Sequence, residues 1–99
     1  MARAKTTSRS RAAAADSVIP KNILAKEIAS ILDAQELTQT EAAHIMRDAP
    51  SQVSLVVSGK LRGFSTERLL RMLARLGRDV DIVIRPTKGR QGKVTVSKR

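Results

Sequence analysis

Thr38-Gln39-Thr40-Glu41-Ala42-Ala43-His44-Ile45-Met46-Arg47-Asp48-Ala49-Pro50-Ser51-Gln52-Val53-Ser54-Leu55-Val56-Val57-Ser58-Gly59 is the stretch on which the fold turns. Thr38 followed three residues later by Glu41 is a capping box: hydroxyl and carboxylate each satisfy an amide that the first helical turn leaves unpaired. The spacing predicts a helix from there to about Met46. Pro50 disfavours helical geometry at Ala49 yet suits the first turn of a new helix. That second helix runs from Pro50 to Ser58 and stops at Gly59, where a left-handed residue is needed.

Two short helices across a tight turn are constrained at particular places. Counting Gln39 as the first position, Ala43 falls fifth, Val53 fifteenth and Val56 eighteenth. A small residue at the fifth lets the helices approach, and apolar residues at the other two lock the second helix onto the first and the core. This is a helix-turn-helix. At 100° per residue Val53, Val56 and Val57 share one face of the second helix, and Ser51, Ser54, Leu55 and Ser58 share the opposite one, with Gln52 on the flank. A stripe of small polar side chains is suited to the major groove of double-stranded DNA. Hydroxyls bond base edges or phosphate there, and Leu55 meets a thymine methyl.

Outward from this unit the chain stays helical. Pro20 serves as a first-turn residue, and Leu24, Ile28, Ile31, Leu32 and Gln35 follow helical spacing over about Lys21 to Gln35. After a loop at Lys60 to Phe64, Ser65 caps a further helix in which Leu69, Leu70, Met72, Leu73 and Leu76 point inward, Arg68, Arg71, Arg75 and Arg78 outward, and Gly77 ends it. The period then changes. Val80, Ile82 and Ile84 alternate with Asp81, Val83 and Arg85, which reads as one strand. A lone strand needs a partner, and the favoured one is the same strand of a second copy, with a return along Lys93 to Ser97 as the alternative. The expected architecture is thus an all-α bundle of four to five helices followed by a C-terminal β-strand used for dimerisation.

The 99 residues carry a net charge of +10, unevenly placed. Residues 12–84 hold nine Lys/Arg and nine Asp/Glu, so the body is neutral. The excess lies in Arg3, Lys5, Arg9 and Arg11 at one end and Arg85, Lys88, Arg90, Lys93, Lys98 and Arg99 at the other, with no acid among them. Acid-free basic arms suit a chain that lies on a phosphate polymer, where counterion release supplies sequence-independent affinity. The organisation is then a disordered basic arm over residues 1–17, a DNA-binding domain with its strand over 18–85, and a basic tail over 86–99.

Several classes are excluded on composition. Without cysteine there is no disulfide, thiolate metal site or cysteine nucleophile, and His44 alone makes no metal site. No catalytic constellation can be assembled, Gly89-Arg90-Gln91-Gly92 lacks the spacing of a phosphate loop, and no apolar run approaches the length of a membrane span. The reading is of a non-enzymatic, cofactor-free protein of the cytoplasm and nucleoid with no membrane partner.

Leu37-Thr38-Gln39-Thr40-Glu41-Ala42-Ala43, Val53-Ser54, Gly59-Lys60-Leu61, Gly63-Phe64-Ser65, Glu67-Arg68-Leu69-Leu70-Arg71-Met72-Leu73 and Leu76-Gly77-Arg78-Asp79-Val80-Asp81-Ile82-Val83-Ile84 together resemble one branch of the Cro/repressor-like (XRE) helix-turn-helix family, over about Ile23 to Arg85. That branch looks like the antitoxins of HigBA-type toxin–antitoxin pairs. The resemblance implies a homodimeric repressor that binds a palindromic operator of its own operon and neutralises a toxin, commonly an RNase. A stand-alone or phage-type regulator or architectural protein without a toxin is the alternative. Carried onto this chain, Gln39 and Thr40 at the start of the first helix of the motif meet backbone phosphate, Ser51, Gln52, Ser54, Leu55 and Ser58 face the groove, and Lys60 and Arg62 clamp phosphate. Two departures stand out. The ninth position, commonly Gly, is Arg47, followed by Asp48 where an apolar residue is usual, and Pro50 replaces a Gln common at the head of the second helix.

Overall fold

The computed structural model describes residues 19–98; the basic arm expected over residues 1–17 lies outside them. Four helices follow one another among the described residues: α1 (Lys21–Ala34), α2 (Gln39–Met46), α3 (Pro50–Val57) and α4 (Thr66–Arg75). α1 packs on both α3 and α4, and α2 packs on α3. Their shared core is entirely apolar. Leu24, Ala25, Ile28, Ile31 and Leu32 of α1 meet Ala42, Ala43 and Met46 of α2, Val53 and Val56 of α3, Phe64 of the loop, and Leu69, Met72 and Leu73 of α4 with Leu76 behind it. Leu70, placed inward from its spacing, lies partly buried against this cluster, whereas Gln35, on the same periodicity as Ile28 and Ile31, is exposed just past the end of α1.

The expected caps are present. The Thr38 hydroxyl accepts from the Glu41 amide at 3.0 Å while Glu41 Oε1 accepts from the Thr38 amide at 2.8 Å. Ser65 Oγ accepts from the Arg68 amide at 3.0 Å. Pro20, rather than opening the first turn, sits at the N-cap of α1 with its carbonyl accepting from Ile23 and Leu24.

All four helices end in the same way. In each, one residue turns left-handed, its amide bonds back three residues, and the next amide reaches back five, as in Leu37 to Leu32, Asp48 to Ala43, Lys60 to Leu55 and Arg78 to Leu73. The left-handed residue is Gly59 in α3 and Gly77 in α4, as the sequence indicates, but Glu36 after α1 and Arg47 after α2. The turn between α2 and α3 therefore keeps its left-handed geometry without glycine, at φ 58° and ψ 48°.

The expected C-terminal strand is not formed. No residue among those described is in a strand, and Val80 to Arg85 lie exposed, Ile84 at 92%. A strand is completed by its neighbour, and among the described residues no other segment pairs with this run. Val96 instead packs against the core, and Lys98 Nζ lies 3.3 Å from Glu27 Oε1 on α1. The end of the basic tail is thereby tied to the body of the domain. No helix among the described residues is long and apolar enough to cross a membrane.

Candidate nucleic-acid interface

The α2–α3 unit is held by the positions that the spacing marks. Ala43 is buried where the helices approach, and Val53 and Val56 are buried against the core. Val57 departs from the expected inner face: it is 38% exposed. One residue past Val56 turns the side chain 100° beyond the stripe, to the edge of a cleft between α1 and α3 lined by Asn22, Ala25, Lys26 and Ala29.

The outward row of α3 is less uniform than its serines suggest. Ser51 is exposed in the first turn. Ser54 is half-buried, and Leu55 is half-buried because it packs against the core, so less of it is presented outward. The Ser58 hydroxyl donates to the Ser54 carbonyl at 2.8 Å, so its donor is used within the helix. Gln39 and Thr40 are exposed at the start of α2, where the amide dipoles favour an anion. Lys60 and Arg62 are exposed after α3, and neither takes part in an ion pair among the described residues. Exposed polar residues thus stand at the start of α2, in the first turn of α3 and in the loop before α4.

Gln52 is engaged in a network the sequence reading did not find. Arg68, in the first turn of α4, donates from Nη2 to Asp48 Oδ1 at 2.7 Å and to Gln52 Oε1 at 3.1 Å, and its guanidinium lies 4.4 Å from the centroid of the buried Phe64 ring. One side chain thus joins the α2–α3 turn, α3, the loop and α4. It also accounts for Asp48: a carboxylate stands where the family prefers an apolar residue because it pairs with Arg68, the two side chains being 18% and 30% exposed. Nearby, Arg75 Nη1 donates to the Met46 carbonyl at 3.0 Å, placing a cation on the negative end of α2. Arg71 pairs with Glu67 one turn away. Arg47, Asp48, Arg68, Arg71 and Arg75 line a cleft of about 210 Å³ beside the turn. In the sequence Arg68, Arg71 and Arg75 read only as an outer helix face. Their convergence on the turn depends on α4 folding back some 20 residues later, which no local pattern shows.

Among the described residues no group of three or more side chains is placed to hold a metal ion. The arrangement offers a helix pair packed on a common core, an exposed helix start and cations that form no ion pair among the described residues, features suited to an anionic polymer.

The comparisons agree with this architecture. The family model described as a helix-turn-helix domain matches residues 10–85, so the chain belongs to the helix-turn-helix family. Within it the chain is of the XRE type: a solved structure described as an XRE family transcriptional regulator is 35% identical and superposes with a TM-score of 0.70, over 78% of this chain and 86% of that one. None of the curated proteins matches.

Proposed function

We propose that the chain is a sequence-specific DNA-binding transcriptional repressor. The observation that carries this is the α2–α3 pair itself, with Gln39 and Thr40 exposed at the start of α2, Ser51 and Gln52 in the first turn of α3, and Lys60 and Arg62, in no ion pair among the described residues, exposed in the loop that follows. Phosphate contacts at the two edges fix the register, and the first turn of α3 reads base edges between them. Much of the affinity comes from the basic arms, because the outward row of α3 holds few strong base readers. The working unit is a homodimer in which Val80 to Arg85 of two copies pair across a two-fold axis. That pairing would cover the exposed Val80, Ile82 and Val83 and would supply the ladder that no described segment gives.

The operator is then palindromic, with half-sites about 10 bp apart or a multiple of it. Fluorescence anisotropy with DNA from upstream of its own gene, at low salt, tests the reading: saturable binding that competes poorly with scrambled DNA is expected, and equal affinity for both sequences would leave only charge-driven association. The resemblance to HigA-like antitoxins extends the proposal to a toxin partner and an autoregulated operon. Co-expression with the product of the adjacent reading frame tests this, since an antitoxin forms a stable complex with that product and relieves its toxicity.

A further inference from the structure

We infer that Arg68 determines which base α3 reads, by fixing the side-chain amide of Gln52 as a donor. This inference rests on the DNA-binding reading above and concerns its specificity. A free glutamine presents both an acceptor and a donor, the pair that matches adenine, whose N6 amine donates and whose N7 accepts. Gln52 is not free. Its Oε1 accepts from Arg68 Nη2 at 3.1 Å. A guanidinium has donors only, so the atom facing it must be the amide oxygen, and the Nε2 amine is left turned away with two hydrogens to give.

The orientation is held firmly because Arg68 is itself held three ways. The Asp48 carboxylate takes the same Nη2 at 2.7 Å, the Phe64 ring supports the guanidinium plane at 4.4 Å, and the first turn of α4, capped by Ser65, carries the side chain. Gln52 lies in the first turn of α3, beside the exposed Ser51. With its oxygen held against Arg68, Gln52 turns its amine rather than its oxygen outward, and donates toward base acceptors. Guanine offers two, N7 and O6, side by side in the major groove. Adenine sets its N6 amine against the Gln52 amine, donor facing donor, and is disfavoured. Arg68 acts here as a positioning residue, touching no base itself.

Selection of bound sequences from a pool with randomised half-sites, using the full chain, reads this directly. The base pair whose preference disappears in Gln52→Ala is the one Gln52 reads. Guanine is expected there in the wild type, with adenine about tenfold weaker. In Arg68→Met the oxygen is released, and adenine is expected to gain about tenfold at that pair alone, a change confined to one position that loss of stability does not produce. Adenine preferred there by the wild type overturns the inference, and so does an Arg68→Met protein that melts cooperatively and keeps the guanine preference. If Arg68→Met does not fold, the wild-type base at that pair decides alone. Selection by the wild type that Gln52→Ala leaves unchanged refutes the role of Gln52 while the regulator reading stands, whereas absence of any selection by the wild type refutes the regulator reading itself.

Discussion

Replacing Arg47 by glycine should stabilise the protein, although it removes a side chain from the cleft beside the α2–α3 turn. Arg47 adopts φ 58° and ψ 48°, and the amides of Arg47 and Asp48 bond back to His44 and Ala43 at 3.3 and 2.9 Å, so the backbone there is fixed by the helix end it closes. Holding a residue with a β-carbon in that conformation costs roughly 1–2 kcal/mol. Glycine removes that cost but loses more freedom on folding, by about 0.5–1 kcal/mol. The difference favours Arg47→Gly by about 0.5–1 kcal/mol. For a domain of this size that is a rise in Tm of about 2–8 °C. Helical circular dichroism followed through a thermal melt measures it, and urea unfolding should show a higher midpoint with an unchanged slope. Glu36→Gly, at the equivalent place after α1 with φ 53°, should give the same sign. A lower Tm in both variants would refute the argument, because it would mean the left-handed backbone at these helix ends carries no strain for glycine to relieve.

Thr38→Ala removes one half of the capping box and should cost about 1 kcal/mol, seen as a lower urea midpoint, with Glu41→Ala adding little in the double variant because the two bonds act together. Lys60→Ala and Arg62→Ala should each weaken DNA binding uniformly across sequences and lower the slope of log K against log salt by about 1, with Tm unchanged. Met46→Ala, at a fully buried position between α2 and the turn, should cost about 2–5 kcal/mol and leave so small a domain largely unfolded at room temperature by circular dichroism. Ile82→Asp should convert a dimeric protein to a monomer in sedimentation equilibrium, and a dimer that persists would place the interface elsewhere.

Local signals gave the helices. Apolar spacing placed the inner faces of α1 and α4, Thr38 and Ser65 marked where α2 and α4 start, and Gly59 and Gly77 marked where α3 and α4 stop. What local signals could not give was anything that depends on a distant segment. Alternating Val80, Ile82 and Ile84 were a genuine strand pattern, but a ladder needs a second chain segment, and the sequence could not say that Val96 goes to the core of α1 to α4 instead of lying alongside. Leu55 fell on the outer face by angle, yet a side chain of that size on a short helix also reaches the packed interior. Asp48 stood out as an acid in an apolar place, which was a usable clue that a cation must meet it. Choosing Arg68 among the nine Lys/Arg of residues 12–84 required the topology that brings the first turn of α4 to the α2–α3 turn.

The bridge made by Arg68 also bears on how such a chain can change its target over generations. Gln52, Asp48 and Phe64 all depend on one guanidinium, so a substitution at Arg68 strands a carboxylate and uncovers a ring at the same moment as it releases the Gln52 amide proposed to read DNA. If the first turn of α3 reads the operator as proposed, drift to a new one is easiest through Ser51, which is exposed and lies outside that network. Relatives with different targets should vary first at position 51, and vary at 48, 52 and 68 together or not at all.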